Sequence, residues 1–301
     1  MKAAGIGAGA GMLGSLVGMG GGFVAIPFLT GWLGLNQHQA HGTSLGAVFA
    51  TGAAGSTAYA FAGLVDYQAA GAMAVAGMAA AHAGARCTRG VDGSSLKLAL
   101  GVLMLVVAPL LPLRDKWLSL SHKSIKRDGS EDQSEGRCSE RSEDGSSERR
   151  ETATEPAGEG TLYGIPGSSA EKVTRMFAIG AGSGFLAGVF GVGGVLTVPA
   201  VSLATDLGHK EVLGTSLAAM VLPALTGSAT HFRQGNLVPK IAIPLALGTG
   251  LGAYVGGKYA TRHLDESSLK LAFSFLMLAI GAKTVAGARV SAAAAKIAKR
   301  I

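Results

Sequence analysis

The chain has 301 residues, 48% of them hydrophobic and only 15% charged, with a mean hydropathy of +0.38 and a formal net charge of +7. Soluble domains carry about 25% charged residues, so this composition excludes an ordinary soluble fold and fits a multi-span membrane protein. The basic residues fall at segment ends and in one long loop, where snorkelling and orientation account for them, so the positive charge is not a nucleic-acid footprint.

Between Lys2 and Asp66 there is no Asp, Glu, Lys or Arg. That interval exceeds the roughly 20 apolar residues one crossing needs, so it holds more than one pass. The first apolar segment, Ala3 to about Leu35, is divided by the cluster Gly18-Met-Gly-Gly-Gly22, followed by Pro27. Glycine weakens a helix interior and proline removes an amide donor, which predicts a broken or re-entrant helix. In lipid such a break survives only where protein or a water-filled cavity covers the freed backbone.

Asn36-Gln-His-Gln-Ala-His41 reads as a polar connection. A second span is expected from about residue 42 to 64, with Thr43 and Ser44 placed to cap its start. Asp66 marks a membrane edge, and a third span runs from Tyr67 to about Ala85, ending at the basic turn Arg86-Cys-Thr-Arg89. The fourth, from about Leu96 to Leu113, is stopped by Pro109 and Pro112. Residues 114–172 carry mixed charge with few large apolar residues, a composition expected to remain a solvated linker. Serines beside acidic residues there are candidate phosphorylation sites, and regulators binding this loop are candidate partners. Cys87 and Cys138 are read as free thiols, not a disulfide or metal-spaced set.

The first segment set then recurs. Gly188-Val-Phe-Gly-Val-Gly-Gly194, ending at Pro199, answers the first glycine cluster, and Gly214-Thr-Ser-Leu217 answers Gly42-Thr-Ser-Leu45. Ser267-Ser-Leu-Lys-Leu-Ala272 reproduces Ser94-Ser-Leu-Lys-Leu-Ala99. The offset is 172 residues from Thr43 to Thr215 and 173 from Ser94 to Ser267. The expected fold is therefore an all-α polytopic transmembrane helical bundle of two homologous four-segment repeats with glycine-broken first helices. The repeats are placed at 1–113 and 173–288, with a basic tail at 289–301. Such duplicated units are typical of transporters, whose sites lie between the halves near the bilayer midplane. The repeated basic turns and the basic tail pull oppositely on the positive-inside rule, so sidedness stays open.

The glycine break, the proline at its far end, the Thr-Ser-Leu segment and their second copy resemble the TauE/SafE family, the sulfite exporter or toluenesulfonate uptake permeases. The resemblance implies a multi-pass carrier of small sulfur-containing anions such as sulfite or sulfonates. Two features depart from it: the second copy reads Gly193-Gly-Val195 where the first has three glycines, and the charged insertion is long.

An anion in a low-dielectric site needs donors and positive potential. Helix N-termini supply both, equivalent to about half a positive charge, and glycine lets that backbone come close. The expected substrate-binding residues are Gly18, Gly20, Gly21, Gly22 and Pro27 with Gly191, Gly193, Gly194 and Pro199, while Thr43, Ser44, Thr215 and Ser216 are expected to donate hydroxyl hydrogen bonds. Tyr59, His82 and His231 are candidate cavity-lining residues. The spaced pairs Gly7/Gly11, Gly14/Gly18 and Gly180/Gly184 and the series Gly248/Gly252/Gly256 are expected to serve helix packing. The literal dinucleotide fingerprint at Gly9–Gly14 lacks a preceding strand and an acidic partner, and is read as packing too.

No nucleophile triad, carboxylate pair, phosphate loop or ATP module is evident, so no enzyme, no cofactor and no metal is expected. The favoured function is a secondary carrier of a small anion by alternating access. Two alternatives stay open: a non-transporting scaffold or receptor using the charged loop, and a cation or metal carrier using His38, His41 and His82. The partners implied are a small anionic substrate and the lipid bilayer of the plasma membrane or an organelle, without nucleic acid. Homo-oligomerisation stays open.

Overall fold

The computed structural model describes residues 2–88, 90–109 and 169–298, with residues 169 and 288–298 described by backbone alone. The described residues form helices and connections, without strands. In the N-terminal half these are α1 (Lys2–Val17), α2 (Gly22–Gly31), α3 (Gln37–Ala60), α4 (Tyr67–Cys87) and α5 (Gly93–Val107). The C-terminal half contains α6 (Ser169–Phe190), α7 (Thr197–Ala204), α8 (His209–Ala219), α9 (Val221–Arg233), α10 (Pro239–His263) and α11 (Glu266–Ala298).

Length separates the crossing helices from the others. Ala170–Phe190, Glu266–Gly287 and the α8–α9 pair over His209–Arg233 are each long and apolar enough to cross a membrane. The 24 residues of α3, 21 of α4 and 25 of α10 reach about 30 Å at 1.5 Å per residue, although alanine, glycine and small polar residues lower their hydropathy. With 10 and 8 residues, α2 and α7 are too short to span by themselves.

Small residues set the principal packing. Along the α1/α10 seam, a Cβ added at Gly11 would meet the Thr249 backbone and one at Gly252 the Ala8 backbone, both inside contact distance. The α4/α6 seam repeats the device, with Gly184 against Gly77 and Gly188 against Ala81. The first helix of each half therefore packs on a long helix of the other, α1 on α10 and α6 on α4, and the halves interlock instead of meeting at one flat face. Helix backbones approach this closely only where no side chain intervenes. The glycine spacings read as packing at Gly7/Gly11, Gly180/Gly184 and Gly248/Gly252/Gly256 lie on these seams. Gly14 differs, since it faces the Gly20–Gly21 backbone, while Gly18 belongs to the break.

Several boundaries differ from the sequence expectation. Helix α3 starts at Gln37, not residue 42, because Asn36 Oδ1 accepts from Gln39 N at 2.8 Å while Gln39 Oε1 accepts from Asn36 N at 3.4 Å. This capping box satisfies two amides reciprocally. Thr43 and Ser44 are thus interior residues, not caps, and His38 and His41 belong to the helix instead of a connection. The matching helix of the C-terminal half is interrupted at Met220 between α8 and α9, with Pro223 just beyond. Helix α5 ends at Val107, ahead of Pro109; Pro112, Leu113 and Arg89 lie outside the described residues. The linker expectation and Cys138 also lie outside them, except that residues 169–172 form the start of α6. Helical backbone continues through 289–298, within the stretch read as a tail.

Edge positions behave variously. Asp66 caps α4 through Ala69 N at 2.9 Å and pairs with Lys172 at 3.5 Å. Arg233 closes α9. Lys283, on α11, stands over the Phe28 ring, 5.8 Å from its centroid.

Candidate functional site

Both glycine clusters interrupt helices. Gly18 closes α1 with φ +71°, and Met19 N donates back to Gly14 O at 3.1 Å, the wrapping bond of a Schellman cap. Gly191 closes α6 with φ +67° through a single bond from its own amide to Ala187 O at 2.9 Å. Gly20 and Gly194 also have positive φ, at 77° and 60°. L side chains rarely adopt that conformation, so both breaks depend on glycine.

The breaks touch each other. A Cβ at Gly22 would lie 2.8 Å from Gly191 O, and one at Gly194 would lie 2.7 Å from Gly18 O. The expected site glycines Gly18, Gly20, Gly21, Gly22, Gly191, Gly193 and Gly194 are thereby brought to one buried place. From it α2 and α7 depart without side-chain caps at Gly21 and Leu196. Pro27 lies within α2, half-buried, and Pro199 is buried in α7. Pro199 lies in the first turn of its helix and Pro27 in the second turn of its own, so neither stands at the break itself.

Reciprocal hydrogen bonds lock the arrangement. Ser44 Oγ donates to Gly191 O at 2.8 Å, and Ser216 Oγ donates to Gly18 O at 2.6 Å. Thr43 Oγ1 accepts from Val238 N at 3.2 Å, while Thr215 Oγ1 accepts from Asp66 N at 3.0 Å. Every one of these bonds joins opposite halves. All four hydroxyl residues are fully buried, and in this arrangement the two serine protons point to glycine carbonyls.

Two residues absent from the sequence-derived set fill the space between the breaks. Val48 side-chain atoms face Gly20, Gly22 and Gly193, and the Met220 thioether reaches Gly20, Gly193 and Gly194. Thr51 Oγ1 accepts the Gly21 amide at 3.2 Å. Val48 and Met220 are separated by the same 172 residues as Thr43 and Thr215, but in an apolar stretch that offset alone does not mark them as special.

The remaining candidates lie around this centre. Tyr59 OH donates to Ser15 O at 3.1 Å, and His231 Nε2 bonds Gly188 O at 3.0 Å. His41 Nδ1 bonds Val189 O at 3.1 Å, and His82 Nδ1 meets Thr230 Oγ1 at 2.9 Å. His41 and His231 thus gather beside the second break, and His82 of α4 bonds the residue before His231 on α9. Among the described residues no three His, Cys, Asp or Glu side chains group to hold a metal ion. The fingerprint glycines of 9–14 lie on helix α1.

Comparison with known proteins agrees with this architecture. The family model for the sulfite exporter TauE/SafE matches residues 3–284. A probable membrane transporter protein, YunE, of Bacillus subtilis is 27% identical over 286 residues, covering 92% of this chain and 93% of its own. A probable membrane transporter protein of Xylella fastidiosa is 28% identical over 272 residues, covering 88% and 87%. One from Haemophilus influenzae reaches 32% over 115 residues, 36% of this chain and 43% of its own. No solved structure matches. A near full-length family match, carried by a bundle of apolar spanning helices, makes the chain an integral membrane transporter, not an enzyme, and a member of the TauE/SafE sulfite exporter family.

Proposed function

We propose that the protein is a secondary carrier of small anions, sulfite or sulfonates, which bind between the two glycine breaks of a duplicated fold. The contact of Gly22 with Gly191 and of Gly194 with Gly18 carries this reading, because it brings two uncapped helix starts to one buried point. A helix N-terminus, equivalent as a whole to about half a positive charge, favours an anion without a buried lysine or arginine. The reciprocal Ser44 and Ser216 bonds support the duplication, since equivalent residues do equivalent work across the interface.

Val48 and Met220 occupy the space the anion would need, so the described arrangement is an occluded one. Admission requires those side chains to withdraw and one half to shift against the other, which exposes the site to each membrane face in turn. The interruption at Met220 gives the C-terminal half a flexing point that continuous α3 lacks.

The test is flux of labelled sulfite and toluenesulfonate in vesicles reconstituted with the full chain. Gly20→Leu and Gly193→Leu are each expected to abolish flux while the protein remains folded by circular dichroism. Flux indifferent to both substitutions removes the proposal, and a chain inert toward the whole anion panel favours the scaffold reading.

A further inference from the structure

We propose that His231, assisted by His41, is a proton-binding site whose proton travels with the anion; this rests on the carrier reading above. The inference starts from hydrogen-bond directions. A carbonyl oxygen only accepts, so the ring nitrogens facing Gly188 O and Val189 O carry their hydrogens: Nε2 in His231 and Nδ1 in His41. The other nitrogen of each ring then holds a lone pair. In His41 it accepts from the Gln37 amide at 2.6 Å. In His231 the remaining nitrogen, Nδ1, is buried without a hydrogen-bond partner, in a residue with 0% exposure.

That empty lone pair is the place for a proton. A proton from solvent joins Nδ1, the ring becomes imidazolium, and the Nε2–H bond to Gly188 O is kept. The carbonyls of Gly188 and Val189 end α6, where the helix dipole is negative and favours a cation. Gly191 follows within a turn, and Ser44 Oγ lies 2.8 Å from both His41 O and Gly191 O, so its one proton is shared between α3 and the break. Positive charge on His231 therefore appears beside the break where the anion binds and increases its retention. When the break opens to the opposite face, anion and proton leave together.

The equivalent position in the N-terminal half makes a built-in comparison. There Tyr59 donates to Ser15 O as His231 does to Gly188 O, and Leu213 stands where the offset would put a counterpart of His41. The bond to the helix end thus needs no imidazole, and one break of the pair carries two imidazoles where the other carries a phenol and a leucine.

Among the described residues, the titratable groups that face the site are imidazoles, and Arg86 at the end of α4 is exposed. From α3, His41 and half-buried His38 face it; from α4, His82 lies one residue along through Thr230. Helix α6 offers carbonyls there, its residues 182–190 being uncharged. Helix α8 has its ionisable residues, His209, Lys210 and Glu211, in its first turn at the far end, and Arg233 on α9 itself is exposed. His38, half-buried near the start of α3, stands three residues before His41 on the same helix.

The experiment has two arms using the full chain. Toluenesulfonate is a permanent anion in this range, so it adds no proton of its own, and its symport with one proton is electroneutral. In reconstituted vesicles with an acid-outside gradient, the wild type is expected to accumulate it about tenfold per pH unit, whatever the membrane potential. His231→Gln keeps a neutral donor for Gly188 O, and His231→Tyr copies Tyr59; both are expected to lose accumulation. In the second arm, nitrogen-15 histidine spectra are expected to show one ring titrating between about pH 5 and 8 that is missing from both variants.

Accumulation by either variant equal to wild type overturns the proposal. So does gradient-independent toluenesulfonate flux in the wild type, which leaves the carrier reading intact, and so does a His231 resonance that never titrates. A chain that moves no anion while His231 titrates keeps the proton site and loses the carrier reading.

Discussion

Ser216 and Gly18, 198 residues apart in sequence, are joined by a 2.6 Å hydrogen bond from the serine hydroxyl to the carbonyl that ends α1. Its counterpart, Ser44 to Gly191, runs in the opposite direction across the same interface. Each serine holds the break of the other half, so neither break is positioned by its own half alone.

Ser44→Ala and Ser216→Ala each leave a buried carbonyl without its serine donor, at a cost of about 1–3 kcal/mol. Thermal unfolding in detergent is expected to show a similar loss for both, with the double variant no better than the sum. A variant as stable as wild type would mean that the carbonyl finds another donor.

Helix seams separate packing glycines from idle ones. Gly11→Ala drives a methyl into the Thr249 backbone, and overpacking of this kind costs about 1–3 kcal/mol. Gly9→Ala, on the same helix with nothing within 4 Å, removes the glycine penalty and is expected to be neutral or stabilising by up to about 1 kcal/mol. The melting temperatures should diverge in opposite directions; equal shifts would contradict the seam.

Met220→Ala empties the volume between Gly20, Gly193 and Gly194. Removing a buried methionine costs about 2–5 kcal/mol, and the widened space is expected to raise toluenesulfonate flux relative to the smaller sulfite. The ratio of the two fluxes is the readout, since it is independent of protein yield. An unchanged ratio would remove Met220 from the substrate path.

Two carboxylates outside the spans predict a shared acid sensitivity. The Ser94 hydroxyl beside Asp92 and the Ser268 hydroxyl beside Asp265 hold both groups below the ordinary value of 3.8. Because the folded values are depressed, their contribution is complete above that value and is lost as pH falls through the folded range. Asp92→Asn and Asp265→Asn are expected to flatten the decline in thermal stability below about pH 4. An unaltered decline would show that other groups carry it.

Membrane residence and helical class were legible in the sequence, because they follow from local chemistry. A charge-free interval longer than one crossing excludes solvent. Thr43 and Thr215, expected to donate hydroxyl hydrogen bonds, instead accept from the Val238 and Asp66 amides. The start of α3 was misplaced because Asn36 and Gln39 form a capping box that a polar run conceals.

Tertiary structure alone decided what those residues touch. Val48 and Met220 look like any apolar residues in a membrane helix until the breaks converge on them. Likewise His41 and His231, 190 positions apart, become neighbours at the end of α6 only because α3 and α9 both pack there. Hydrophobic periodicity and turn chemistry act over a few residues, whereas the interlocking of halves depends on which backbones can approach across the bundle; that selection is made by the whole set of glycine seams at once.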